Sequence, residues 1–163
     1  SRSLGLLAAT WASMVSMGRD GYLEKARAVF AAADAMQDAV RSHPELRIIG
    51  SPTFCFSFTS DLFDIYHVND FMRLRGWRFN GQQYPNSIHM AVTGPQTQEG
   101  VTDQFASDLS EAVAYAIEHK DEQPGSAAIY GGVAGGLTDE ADDFIKMVMA
   151  DMMDTQQAVP PSS

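Results

Sequence analysis

The sequence predicts an α+β fold in which a mostly antiparallel sheet of short strands is covered by helices. Three observations support this fold class. Long stretches carry apolar residues at helical spacing, short runs rich in β-branched and aromatic residues lie between them, and glycine or proline separates neighbouring runs. With 163 residues, 45% of them hydrophobic, the chain is long enough to bury one sizeable core. We therefore expect one two-layer domain.

The N-terminal part of the chain predicts two helices. Apolar residues recur at helical spacing over residues 4–40, and Gly18 and Gly21 interrupt the pattern. The uncharged stretch from Leu4 to Met17 is too short to span a bilayer, and its threonine and serines argue against a signal peptide. The first residue is serine, which indicates a chain cut from a longer protein.

The central part predicts a hairpin followed by a helix. Residues 46–49 and 53–59 are short and rich in β-branched and aromatic side chains, and a Gly-Ser-Pro turn separates them. Residues 65–75 then place apolar side chains on one side, with Asp64 as a cap and Gly76 as the stop signal.

The second half predicts two more strands and two helices. Residues 77–80 and 87–93 are strand-like, and periodic apolar residues follow over residues 98–118 and 138–153. The tail, residues 155–163, has no periodic pattern, and we expect it to be disordered.

Composition restricts the class of function. The net charge is −10, from 21 acidic and 11 basic residues, and the arginines are scattered, which argues against a nucleic-acid partner. Cys55 is the one cysteine, so an intrachain disulfide cannot form. Because it lies in an apolar run, we expect a buried, inert thiol in a reducing, cytoplasmic setting.

Motifs of a self-contained catalyst are absent from the sequence. It has no phosphate-binding glycine motif, no HExxH, no paired cysteines and no GxSxG. The four histidines lie far apart in sequence, which favours structural roles and argues against a metal site: His43, His67, His89 and His119. His89 should share a sheet face with Ser87 and Ala91.

One block of nearly thirty residues resembles a known family. The residues of this block that carry the resemblance occur at the spacing found in that family: Phe63-Asp64-Ile65-Tyr66, Arg75-Gly76-Trp77, Asn80, Gln83, Pro85 and Ser87-Ile88-His89. Further patches follow the same order: Ser1-Arg2, Thr10-Trp11-Ala12, Gly21-Tyr22 and Ala128-Ile129-Tyr130-Gly131. Over residues 1–131 the chain is similar to sphingosine-1-phosphate lyases of the group II decarboxylase superfamily.

The resemblance implies an architecture and a cofactor. Residues 1–154 would form the small C-terminal domain of a fold-type-I pyridoxal-phosphate enzyme, and residues 1–40 would link it to a missing N-terminal large domain. In this family a lysine of the large domain binds pyridoxal phosphate as a Schiff base. Lys25, Lys120 and Lys146 do not match the family's histidine-lysine motif. The chain should therefore lack the Schiff-base lysine.

The resemblance also implies a substrate and a set of site residues. The parent would be a homodimer that cleaves a phosphorylated long-chain amino alcohol to an aldehyde and phosphoethanolamine. Ser1, Arg2 and Tyr130 are expected on the substrate side, with Tyr130 as an auxiliary catalytic residue that donates a hydrogen bond. Alternatively, Arg2 is an exposed arginine at a frayed terminus and Tyr130 is an aromatic plug that holds a loop.

Two other functions remain open. The chain could be the C-terminal domain of a pyridoxal-phosphate-dependent amino-acid decarboxylase, which uses the same cofactor and fold, although the block from Asp64 to His89 favours the lyase. It could also be a non-catalytic dimerisation module.

Overall fold

The computed structural model describes residues 3–126, 143, 146–151 and 153. Eight elements follow one another along residues 3–126: α1 (Leu4–Arg41), β1 (Leu46–Ile48), β2 (Cys55–Ser60), α2 (Tyr66–Leu74), β3 (Asn80–Gln82), β4 (Ser87–Ala91), a 3₁₀ turn (Gly94–Thr97) and α3 (Val101–Glu118). Residues 121–126 continue from α3 as a loop, and Ser1, Arg2 and Tyr130 lie outside the described residues.

The N-terminal helical region is broken at the predicted place. Within α1, Gly18 has φ 58° and ψ −178°, a backbone conformation that residues with a Cβ rarely adopt. Two helical segments therefore meet at Gly18, as the sequence predicts.

The four strands form one antiparallel sheet in the order β1-β2-β4-β3. Phe58 lies at its centre, opposite Ile48 on one side and Ile88 on the other. Phe56, Phe58, Ile88 and Met90 are all buried, and the two-residue alternation places them on one face. This arrangement confirms the predicted α+β class with an antiparallel sheet.

Three helical segments contribute to the core with that sheet face. Their fully buried apolar side chains belong to a single cluster, and burial of each contributes about 1.5–3 kcal/mol: Met36 and Val40 from α1, Val68 and Met72 from α2, and Phe105 and Leu109 from α3. The ring of Phe105 also meets the edge of Trp77, with centroids 5.2 Å apart. The core thus lies between the C-terminal half of α1, α2, α3 and the sheet.

Three sequence predictions need correction. The strand at residues 77–80 is instead Asn80–Gln82, because the Trp77 N–H bonds to the Met72 carbonyl at the end of α2 and so is not free for strand pairing. The helix at 98–118 begins at Val101, after Gly100 with φ 79°. Cys55 is exposed, because it precedes Phe56 in β2 and points to the opposite face.

Toward the C-terminus the structure describes only part of the predicted helix at 138–153. Residues 143, 146–151 and 153 are helical, in agreement with that prediction. None of the described helices combines the length and apolar character needed to cross a membrane.

Candidate functional site

The loop that leads toward Tyr130 is held firmly at its described end. Pro124 and Ser126 are both buried, although they lie in a loop. The Ser126 N–H donates to Asp70 Oδ2 at 3.1 Å, and the Asn69 amide donates to Ser126 Oγ at 3.1 Å. The described part of the loop, residues 121–126, is thereby fixed to α2.

A third contact joins the same helix to the beginning of the loop. His67 is buried, and its Nε2 lies 3.0 Å from the Glu122 carbonyl oxygen. Because a carbonyl only accepts hydrogen bonds, Nε2 carries the proton. The His67 ring also meets the edge of Tyr115 in α3, with centroids 6.3 Å apart. His67 therefore has a structural role between α2, α3 and the loop.

His89 lies on the sheet face that is opposite the core. It pairs with Ser57 of β2 and Asn80 of β3, and Ser87 is two residues earlier on the same face, as predicted. The His89 Nε2 atom is 3.5 Å from the Asn80 amide nitrogen, while Nδ1 is buried without a hydrogen-bond partner among the described residues. The polar residues Ser57, Asn80 and Ser87 neighbour His89 in the sheet.

A buried carboxylate connects α3 to the segment after α2. Asp108 accepts hydrogen bonds from Arg75 at 2.7 Å, from the Trp77 indole at 2.8 Å and from Gln104 at 2.9 Å. Burial alone would raise the pKa of Asp108, but the bonds from Trp77, Arg75 and Gln104 outweigh it and lower that pKa. Hydrogen bonds to Glu111 and Asp108 in turn raise the pKa of Arg75. This network fixes the Arg75-Gly76-Trp77 segment and leaves Asp108 ionised.

The lysines of the described region lie at exposed positions. Lys25 and Lys120 are exposed, and Lys146 is 67% exposed with its Nζ 4.0 Å from Asp143. Among the described residues there is also no group of histidine, cysteine and carboxylate side chains able to hold a metal ion.

Apolar surface is concentrated around α1. Leu4, Leu7, Trp11 and Met14 are exposed along its first half, and their three- and four-residue spacing puts them on one side of the helix. Further along α1, a cavity of about 690 Å³ lies between the helix, Phe54 before β2 and the segment of residues 92–97 after β4. Phe30 and Phe54 meet edge to face at its wall, with centroids 6.2 Å apart. The first half of α1 therefore presents apolar side chains that no other described residue covers.

Sequence reasoning missed the contacts of Asp70 and Asp108. Each carboxylate bonds to groups more than thirty positions away, since Asp70 meets Ser126 and Asp108 meets Arg75 and Trp77. The available signal was an acidic residue within an apolar helical pattern, and that signal does not reveal the partner.

No protein-family model matches the chain. The sphingosine-1-phosphate lyase of Dictyostelium discoideum is 36% identical over 157 residues, which cover 94% of this chain and 28% of that protein. The Arabidopsis thaliana sphingosine-1-phosphate lyase is 35% identical over 157 residues, with 96% and 28% covered. A solved sphingosine-1-phosphate lyase from Burkholderia pseudomallei shares 64% identity at a TM-score of 0.71, covering 74% of this chain and 28% of that one. The chain thus spans about 28% of the length of these relatives.

Proposed function

We propose a function from one premise, which is that this chain belongs to the sphingosine-1-phosphate lyase family. It forms the C-terminal part of a pyridoxal-phosphate-dependent lyase that cleaves a phosphorylated long-chain amino alcohol to an aldehyde and phosphoethanolamine. The observation that carries this proposal is identity of 36% over 94% of the chain with a relative of which only 28% is covered. The bond-breaking machinery then belongs to the remaining length of the protein.

In this proposal the cofactor is held outside the chain. When bound, pyridoxal phosphate supplies the electron sink for breaking the bond at the amine-bearing carbon. The exposed settings of Lys25 and Lys120 support a Schiff-base lysine elsewhere. The exposed apolar stripe on α1 supports a large domain, and a partner subunit of a homodimer, as the surfaces that cover this chain.

The contribution of this chain is to shape the substrate side of the cleft. In the sequence, Ser1 and Arg2 come before Ser3, the residue that precedes α1, and the planar guanidinium of Arg2 suits a bidentate bond to the substrate phosphate. Tyr130 follows the anchored Ser126 by four residues, and its phenol donates a hydrogen bond to a substrate oxygen. Both roles are proposed for the assembled enzyme.

Product analysis tests this function. The full-length protein that contains this chain is incubated with pyridoxal phosphate and a phosphorylated long-chain 2-amino alcohol, and the products are identified by mass spectrometry. A long-chain aldehyde together with phosphoethanolamine supports the proposal. Carbon dioxide released from amino acids would instead identify the decarboxylase, and no turnover of either substrate class would favour the dimerisation module.

Substitution of Tyr130 tests its role within that function. Loss of one hydrogen bond to a charged partner costs about 1.5–3 kcal/mol, so Tyr130→Phe should lower turnover about tenfold to hundredfold. Folding and cofactor content should not change. If Tyr130 is an aromatic plug, Tyr130→Phe will be silent and Tyr130→Ala will lower the melting temperature.

A further inference from the structure

A small cavity lies between α2 and the beginning of β3. Its volume is about 230 Å³, below the range of about 300–1,000 Å³ that holds drug-sized ligands, so it suits one small chemical group. Its wall is formed by residues of α2, of β3 and of the segment that joins them: Asn69, Arg73, Trp77, Arg78, Phe79 and Asn80. We call it the arginine cavity.

Two guanidinium groups at the arginine cavity have no partner within the described ranges. Arg73 and Arg78 form no ion pair and no side-chain hydrogen bond with another described residue. Arg75, which lies between them in sequence, is instead occupied by Asp108 at 2.7 Å and by Glu111. No described aspartate or glutamate lines the cavity, although the chain has 21 acidic residues. The cavity thus concentrates positive charge within an acidic protein.

The segment that carries Arg78 is held at both ends. The indole of Trp77, the residue before it, donates to Asp108 at 2.8 Å. Asn80, two residues after Arg78, pairs with His89 in the sheet. The side chain of Arg78 therefore extends from a fixed backbone, and such preorganisation lowers the cost of binding a ligand.

Arg73 reaches the same cavity from α2. It lies four residues after Asn69, and this spacing puts both side chains on one face of the helix. Asn69 is 4% exposed, and its amide donates to the Ser126 hydroxyl at 3.1 Å, so this wall is fixed as well. Guanidinium groups are positively charged and carry only hydrogen-bond donors. Two of them at one small cavity favour an anion between them.

We propose that the arginine cavity binds the phosphate group of a phosphomonoester, held by Arg73 and Arg78. A phosphomonoester carries a charge of about −1.5 to −2 and three oxygens that accept strong hydrogen bonds. These oxygens match two guanidinium forks better than the two oxygens of one carboxylate do, because each planar fork binds phosphate through two parallel bonds. Binding there needs no turnover, so it is testable whether or not the lyase reaction takes place.

Protection from an arginine reagent tests this site in the full-length protein that contains the chain. Phenylglyoxal modifies accessible arginines, and peptide mapping by mass spectrometry measures the rate at each one. Inorganic phosphate at about ten times its dissociation constant should slow modification of Arg73 and Arg78 about tenfold, because only the unoccupied fraction reacts. Arg27, an exposed arginine of α1, should change less than about twofold, and sodium chloride at equal ionic strength should protect none of the three.

Two results of this experiment would overturn the proposal. If Arg73 and Arg78 react at the same rates with and without phosphate, the cavity binds no phosphate. If neither arginine reacts even in the absence of phosphate, another part of the protein covers the cavity, and the two guanidinium groups serve an interface.

Substitutions separate specific binding from general attraction of anions. Arg78→Gln should reduce the protection of Arg73 to less than about twofold, because half of the guanidinium donors are lost. Arg27→Gln removes an equal charge and should leave that protection intact. Arg78→Lys keeps the charge without the fork, so protection should need about tenfold more phosphate. All three side chains are exposed, so the substitutions spare the core. Equal losses in Arg78→Gln and Arg27→Gln would contradict the proposal.

Further probes identify the source of the phosphate group. O-phosphoethanolamine in solution, or vesicles of phosphatidylcholine that contain phosphatidic acid, replace inorganic phosphate in the same measurement. Protection by O-phosphoethanolamine supports a soluble phosphomonoester, and protection by the vesicles alone supports a lipid headgroup. If neither probe protects Arg73 and Arg78, the cavity does not bind phosphomonoesters and the proposal is wrong.

Discussion

Apolar residues recur at the same spacing in both halves of α1, but the side chains of the two halves differ in whether other parts of the fold cover them. Leu4, Leu7, Trp11 and Met14 are 82%, 51%, 69% and 55% exposed, whereas Ala33, Met36 and Val40 are 0% exposed. The second half packs on the sheet and α3, and the first half contacts no comparable surface among the described residues. Helical periodicity thus shows which face needs burial but not which molecule buries it.

Truncation of a methionine in each half should give the largest contrast. Met36→Ala removes a fully buried side chain and should lower the free energy of unfolding by about 3 kcal/mol, through lost transfer energy and a residual cavity. Met14→Ala, on the exposed half, should change it by less than about 0.5 kcal/mol. Urea unfolding of the dilute chain measures both. Equal losses would show that the first half packs within this chain.

The next effect concerns two carboxylates that share Arg75. Asp108 is 3% exposed in its side chain and Glu111 is 54% exposed. Asp108→Ala leaves the Trp77 indole without its acceptor and should cost about 2 kcal/mol, below the 3–5 kcal/mol of fully buried pairs because Arg75 is partly solvated. Glu111→Gln should cost less than about 1 kcal/mol. A larger loss for Glu111→Gln in the same unfolding measurement would contradict this account.

Acidification should remove the stabilisation that the Asp108 carboxylate provides. Because the folded-state pKa of Asp108 is lowered, its stabilisation is fully present above the unfolded-state pKa of about 3.9 and is lost as the pH falls through the folded value. The stability difference between wild type and Asp108→Asn should be constant from about pH 7 to 5 and shrink below about pH 4. A difference that grows on acidification would mean that Asp108 is protonated in the native state.

The smallest predicted effect concerns association of the isolated chain. Its exposed stripe on α1 should promote self-association, because the apolar area is not covered. Replacing both Leu7 and Trp11 by glutamine should weaken association about tenfold or more, since burial of each apolar side chain in the contact contributes more than about 1 kcal/mol. Sedimentation velocity compares the two chains. A wild-type chain that stays monomeric at high concentration would contradict the prediction.

Local signals in the sequence predicted most of the fold. The break at Gly18, the hairpin of β1 and β2, α2 and the antiparallel sheet all follow from glycine placement and from periodicity. The strand at 77–80 was misplaced because Trp77 bonds to the end of α2. That contact depends on three-dimensional proximity, which outweighs the local preference of an aromatic residue for a strand.

Less of the site was predictable. The resemblance pointed to Ser1, Arg2 and Tyr130, which are outside the described residues, so their roles stay predictions. The contact between Asp70 and Ser126 was not predicted, because the two residues are 56 positions apart and an aspartate on a helix is usually solvated. The exposure of Cys55 was missed because its neighbours Phe54 and Phe56 suggested burial, whereas the strand alternates its two faces.

The central claim is that this chain shapes the cleft and another part of the protein holds the cofactor. Borohydride reduction of the full-length protein with pyridoxal phosphate makes the lysine–cofactor bond permanent, and peptide mapping by mass spectrometry then locates the labelled lysine. The account predicts a single labelled lysine outside these 163 residues, consistent with the exposed settings of Lys25 and Lys120. Stoichiometric label on Lys25, Lys120 or Lys146 would contradict it.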